Sequence, residues 1–169
     1  MTLREKHMDI EYKEFPSKPE LYRFIHEKLW LIGEETNDFY AVLSNAAALF
    51  WLELPDVNWS GFYLYKDGRL VLGPFQGNPA VAEISIGKGV CGTAARELTT
   101  QVVEDVHSCC NHIACDFRTS SEIVVPIIAT GRLVGVIDID SPVTARFDEQ
   151  DKAGLETAAD ILAGLYLKA

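Results

Sequence analysis

Two runs, NWSGFYLY at residues 58–65 and RLVLGPF at residues 69–75, are rich in aromatic and β-branched residues and flank Lys66, Asp67 and Gly68. Asp-Gly supplies the positive φ that a tight hairpin turn requires, so this stretch is predicted to form two antiparallel strands. SEIVVPIIAT at 121–130 and RLVGVIDID at 132–140, separated at Thr130 and Gly131, predict a second hairpin, and residues 101–106 a further strand. Helices are predicted around these. SKPELYRFIHEKLWLIG at 17–33 spaces Leu21, Phe24, Ile25, Leu29 and Ile32 at helical intervals, and the Ala- and Leu-rich run at 38–54 is stopped by Pro55. GKGVCGTAARELTT is a Gly-rich entry into a short helix carrying Cys91, and the stretch from Asp148 onward has an acidic first turn and apolar residues at helical spacing. This order predicts an α+β fold, an antiparallel sheet with helices grouped on one side.

No Gly/Ser/Pro-rich linker divides the 169 residues, which suffice for one full hydrophobic core. Residues 19–169 are expected to form a single domain, and the charged residues 1–18 a poorly ordered N-terminal extension. A formal charge of −10 repels phosphate backbones and anionic lipid, so neither a nucleic acid nor a membrane is an expected partner. An acidic cleft suits instead a cationic group on a small ligand. The start MTLREKHMDIEYKEF has no apolar signal-like core, and no run of about 18 apolar residues occurs, so a cytoplasmic location is expected. Thiols stay reduced there, which turns the four cysteines toward redox chemistry or metal binding rather than structural disulfides.

Three of those cysteines, Cys109, Cys110 and Cys115, fall in HSCCNHIACD together with His107 and His112. The spacing is irregular and matches no standard zinc finger or ribbon, so a metal is not expected; the vicinal pair Cys109 and Cys110 also reads as incidental loop residues. Cys91 sits between glycines in the first turn of its predicted helix, where free N–H groups and the helix dipole favour a thiolate; the alternative is a small buried residue with packing glycines. In VGVIDID, alternation puts Val136, Asp138 and Asp140 on one face and Ile137 and Ile139 on the other. Two carboxylates on an otherwise apolar face bind a cation, accept hydrogen bonds, or belong to a strand end facing water. Glu122, opening the preceding strand, can approach them. Trp59, Gly61, Tyr63 and Tyr65 share one strand face, which is either core or a box for a small amphiphilic cation.

NWSGFYL, LVLGPFQG, GKGVCGTAA, TQVVEDV, HIACD, SEIVVP, GVIDIDSP and FDEQDKAGLE, in that order over about residues 37–162, resemble the free methionine-(R)-sulfoxide reductases, stand-alone GAF-domain enzymes. The resemblance implies a GAF fold with a central antiparallel sheet of about six strands and helices packed on one face, commonly as a homodimer. It implies reduction of the free amino acid without a bound cofactor. It makes Cys115 the attacking thiol and Cys91 its resolving partner, Glu122, Asp138 and Asp140 the substrate-binding carboxylates, and Trp59 and Tyr63 the pocket lining. Attack leaves a sulfenic acid, a second thiol closes a disulfide, and an external dithiol, thioredoxin, reopens it. Local electrostatics oppose this assignment, since the helix start favours Cys91 and Asp116 discourages a thiolate at Cys115, partly offset by His112 and Arg118.

The chain departs from the family pattern in two places. Val81 stands where some members carry a third cysteine, and Cys109 and Cys110 precede NHIACD where members have other residues, which makes this pair a candidate relay. The rival reading is a non-catalytic GAF module sensing a small ligand or cyclic nucleotide. Such a module has no need of separated cysteines with three carboxylates, and an anionic nucleotide is repelled by them.

Overall fold

The computed structural model describes residues 14–108 and 118–169. In chain order the elements are α1 (Lys18–Glu35), α2 (Phe39–Glu53), β1 (Trp59–Lys66), β2 (Arg69–Gly77), β3 (Glu83–Ser85), α3 (Gly89–Glu97), β4 (Gln101–Val103), β5 (Ser121–Ala129), β6 (Arg132–Ser141) and α4 (Glu149–Tyr166), with a 3-10 turn at Val106–Ser108. Both hairpins form as their turn residues dictate: Asp67 and Gly68 take φ of 48° and 82°, the pair of positive angles that matches strand twist. Strand order is β3-β2-β1-β6-β5-β4, antiparallel throughout, so the two hairpins meet along β1 and β6 at the centre.

The two faces of the sheet have separate cores. Phe62, Leu64, Ile123, Val125, Ile127, Ile137 and Ile139 point toward α1, α2 and α4, which bury Leu21, Ile25, Leu29, Leu43, Phe50, Leu155 and Leu162 against them. Each fully buried aliphatic or aromatic side chain there contributes about 1.5–3 kcal/mol. The three long helices are thus grouped on one face, as the element order predicts for all the helices, and the short α3 departs from that expectation. The alternate residues Trp59, Tyr63, Val124 and Val136 pack with Val90, Cys91, Ala94 and Ala95 of α3, which crosses the other face.

Capping fixes the long helices. The Asp38 carboxylate accepts from the Ala41 N–H at 3.0 Å to start α2. Asp148 and Asp151 form a reciprocal capping box at α4. Asp151 is fully buried, and it also accepts from Tyr22 Oη at 2.9 Å and Arg146 Nη1 at 3.0 Å and pairs with Lys18 Nζ, tying α1 to α4.

Two elements differ from the sequence expectation. The strand predicted over 101–106 ends at Val103, because Asp105 Oδ1 accepts from the His107 N–H at 2.9 Å and turns the chain. The three-residue edge strand β3 has too short an apolar pattern to be visible in the sequence and is held by pairing with β2. No helix among the described residues is long and apolar enough to cross a membrane.

Candidate active site

The face under α3 gathers the residues that carry chemistry. Asp138 and Asp140 leave β6 on the side opposite Ile137 and Ile139, as the alternation requires. Register then fixes their neighbours. Asp140 lies between Glu122 of β5 and Trp59 of β1, and Asp138 lies between Val124 and Gly61. All three carboxylates are buried, each 5 % exposed, so the alternative of a strand end facing water does not hold.

Trp59 and Tyr63 form the aromatic wall. Their rings stack with centroids 6.1 Å apart, and Phe75 of β2 also stacks on Trp59 at 5.3 Å. Each polar tip is anchored in the β2–β3 connection: Trp59 Nε1 donates to the Asn78 carbonyl at 3.0 Å and Tyr63 Oη to the Val81 carbonyl at 2.9 Å. Amphipathic rings held at both ends make a rigid wall. Tyr65, although on the same strand, is exposed and contributes nothing to it.

Cys91 enters from α3. Its thiol is buried and donates to Asp138 Oδ2 at 3.2 Å. Burial, and after it the charges of Asp138, Glu122 and Asp140, pushes this thiol well above its ordinary pKa. That corrects the expectation of a thiolate favoured by the helix start. A helix terminus contributes typically 0.3–1 kcal/mol, whereas desolvation with three carboxylates close by acts with the opposite sign and greater strength. Burial, followed by the Glu122 carboxylate, likewise raises the Asp138 carboxyl well above its usual range, against a smaller opposing effect of the Cys91 hydrogen bond. Asp138 therefore holds a proton where an exposed aspartate would have lost it.

The Cys91 sulfur and one carboxylate oxygen each of Glu122 and Asp138 lie within 4.8 Å of one another, a possible ligand set for a cation. Phe75 is the wall residue that the sequence concealed. Counting back from the Lys66–Arg69 pair places Phe75 opposite Ser60, on the helix side; a one-residue irregularity between Gly61 and Tyr63 moves it opposite Gly61 and onto the site. An apolar cleft lined by Tyr40, Tyr65, Leu98 and Leu133 lies at the far end of β1 and includes none of these residues. Cys109, Cys110 and Cys115 lie outside the described residues, as do His112 and Asp116. That segment joins Ser108 to Arg118, and Arg118 is four positions before Glu122 in the sequence.

The fold and the sequence both match known proteins. The GAF domain family model matches residues 36–165. A free methionine-R-sulfoxide reductase of Escherichia coli is 45% identical over 139 residues, covering 82% of this chain and 84% of that protein. One from Saccharomyces cerevisiae is 49% identical over 128 residues, 71% of each chain. The structure of free methionine-R-sulfoxide reductase from Neisseria meningitidis in complex with its substrate superposes with a TM-score of 0.88 at 39% identity, covering 92% of this chain and 93% of that one. By its fold, its matched length and these relatives, the chain belongs to the GAF domain family and, within it, to the free methionine-R-sulfoxide reductases.

Proposed function

We propose that the protein reduces free L-methionine-(R)-sulfoxide to methionine by a thiol–disulfide cycle, with Cys115 as nucleophile, Cys91 as resolving thiol and thioredoxin as the external dithiol. The observation that carries this reading is the Cys91–Asp138 contact at 3.2 Å on a buried face shared with Glu122 and Asp140, beneath the Trp59–Tyr63 wall. Free amino acid selectivity follows from the same face. A substrate ammonium offsets buried carboxylates, and a peptide-bonded residue has none to offer.

The chemistry divides between the two thiols. The Cys115 thiolate attacks the sulfoxide sulfur while Asp138, which retains its proton, delivers it to the sulfoxide oxygen. Oxygen passes to the cysteine sulfur, methionine leaves, and Cys115 remains as a sulfenic acid: substrate sulfur gains two electrons and the cysteine loses two. Asp138 is now a carboxylate in contact with the Cys91 S–H, so it can take that proton. The Cys91 thiolate then attacks the sulfenic sulfur, and Asp138 passes the proton it took to the departing hydroxide, so that a disulfide and water result. One carboxyl thus serves as acid in the first step and base in the second. With its pKa raised by burial and the neighbouring carboxylates, Cys91 stays a thiol until Asp138, having given up its own proton, can accept one from it. Thioredoxin reopens the disulfide by exchange, and Cys109 and Cys110 relay it toward the surface in place of the cysteine absent at Val81.

No prosthetic group is required, and the protein acts in the cytoplasm as a homodimer. Residues 19–169 are the catalytic domain, and the N-terminal extension joins it at Lys18, whose ammonium pairs with Asp148 and Asp151. Single-turnover assays without reductant test the cycle. Cys115→Ser should release no methionine, Cys91→Ser should release one equivalent and stall, and Cys109→Ser with Cys110→Ser should slow only turnover with thioredoxin. If substrate oxidises no thiol in the unmutated protein, the sensor reading takes its place.

A further inference from the structure

We propose that the reduced protein binds a thiol-seeking divalent cation of the zinc type between Cys91, Glu122 and Asp138, in competition with substrate. The three ligand atoms come from separate elements, α3, β5 and β6, and lie within 4.8 Å of one another. Zinc–sulfur and zinc–oxygen bonds of about 2.3 and 2.1 Å place tetrahedral ligand atoms about 3.4–3.6 Å apart, which small side-chain rotations reach from here. Sulfur and carboxylate oxygen are both ordinary zinc donors, and three protein ligands leave a fourth position for water.

A second observation points to a ligand. Asp138 is 5 % exposed, and its Oδ1 is buried with no hydrogen-bond partner among the described residues. A buried carboxylate oxygen of this kind is satisfied in one of two ways, by a proton shared with a neighbouring carboxyl or by a cation. Asp140 pairs in register with Glu122, so a third buried carboxylate borders the same ligand atoms. A divalent cation displaces the thiol proton and the shared carboxyl proton and offsets two of the resulting charges, with Asp140 adding attraction from the adjacent position. Substrate and cation draw on the same carboxylates, so binding of one excludes the other. The cation site requires only these three ligands; its consequence for catalysis rests on the reductase reading.

Titration with Co²⁺ tests the site directly, in reduced, chelator-washed protein carrying Cys109→Ser, Cys110→Ser and Cys115→Ser so that Cys91 is the sole thiol. One equivalent should saturate a thiolate-to-cobalt absorption band. The band should vanish in Cys91→Ser, and the affinity should fall at least about tenfold in Asp138→Asn, with far-ultraviolet circular dichroism confirming each fold. With native cysteines, Zn²⁺ should raise the KM for free methionine sulfoxide without changing kcat. Absence of a saturable band, or a band whose affinity is unchanged in Asp138→Asn, overturns the proposal even if reductase activity is present. A band in the triple variant together with no reductase activity in the protein with native cysteines leaves the cation site standing and removes the reductase reading.

Discussion

The Cys91 sulfur donates to Asp138 Oδ2 across 3.2 Å, and both groups are buried on the same sheet face. The effect runs one way: burial and the Asp138 carboxylate raise the thiol, whereas the Cys91 hydrogen bond lowers Asp138, whose own raise comes from burial and Glu122. Reactivity at Cys91 is therefore set by its burial, and after that by Asp138 and the other carboxylates, more than by the helix it starts.

Alkylation should report this directly. With Cys109, Cys110 and Cys115 replaced by serine, the reaction of Cys91 with iodoacetamide should keep accelerating above pH 9, where a thiol at its ordinary value of 9.0 is already levelling off. Asp138→Asn removes the carboxylate that contacts the thiol and, at pH values where Asp138 is ionised in the parent, should accelerate alkylation about tenfold, the effect of one pKa unit on thiolate fraction. A rate that levels off by pH 8 in the parent would contradict the raised pKa.

Asp138→Asn should trade activity for stability. The folded-state pKa of Asp138 is raised, so the share of stability tied to it is fully present below the unfolded value near 3.8 and is lost as pH rises through the folded value. At neutral pH the carboxyl is thus a liability, and an asparagine that donates to Glu122 should stabilise the fold by about 1–3 kcal/mol. This corresponds to a rise in Tm of about 2–10 °C for a chain of this size, shrinking toward pH 4. Methionine release should fall about 10²–10⁴-fold, the usual worth of a positioned acid. In the parent, release should decline as pH rises through the Asp138 pKa, and the variant should lack that limb.

Asp151, a buried carboxylate outside the site, is structural, and its loss should behave differently. It accepts from Tyr22 and Arg146 and pairs with Lys18, so Asp151→Ala strands a guanidinium whose side chain is 7 % exposed. Removing one partner of such a pair costs about 3–5 kcal/mol, readable as a lower urea midpoint with an unchanged slope. Asp148, held near pKa 2 mainly by its hydrogen bond from Lys18, contributes stability that is present above 3.8 and lost as pH falls through about 2. Its exposure screens that contribution, so Asp148→Asn should show a smaller loss at pH 7 than Asp151→Ala.

Most of this site was legible because strand periodicity is local. VGVIDID alone places Asp138 and Asp140 together, and the Asp67-Gly68 turn alone brings β2 beside Trp59 and Tyr63. What was not legible depends on residues distant in the chain. The electrostatics of Cys91 looked favourable from its helix start because the opposing carboxylates come from β5 and β6, elements that α3 meets only in three dimensions. Phe75 was hidden by an irregularity that slides its register by one residue, and β3 by a pattern too short to read. The placement of α3 opposite the three long helices follows from packing rather than from its own sequence.

The close seating of α3 supplies the last prediction. A Cβ on Gly92 would come within 2.5 Å of the Ser85 carbonyl oxygen, which is itself fixed by accepting from the Lys88 N–H at 3.0 Å. Backbone on both sides cannot yield as a side chain would, so Gly92→Ala should lift α3 from β3 and carry the adjacent Cys91 away from Asp138. Overpacking of this kind costs about 1–3 kcal/mol. The chemical signature should fall on the second step alone: the first methionine is released at close to the parental rate, while the sulfenic acid persists long enough to be trapped by dimedone and weighed by mass spectrometry. Gly164→Ala provides the contrast, because nothing lies within 4 Å of the added carbon and alanine favours the α4 helix by about 1 kcal/mol. If Gly92→Ala closes its disulfide as fast as Gly164→Ala, the seating of α3 does not govern how Cys91 resolves the intermediate.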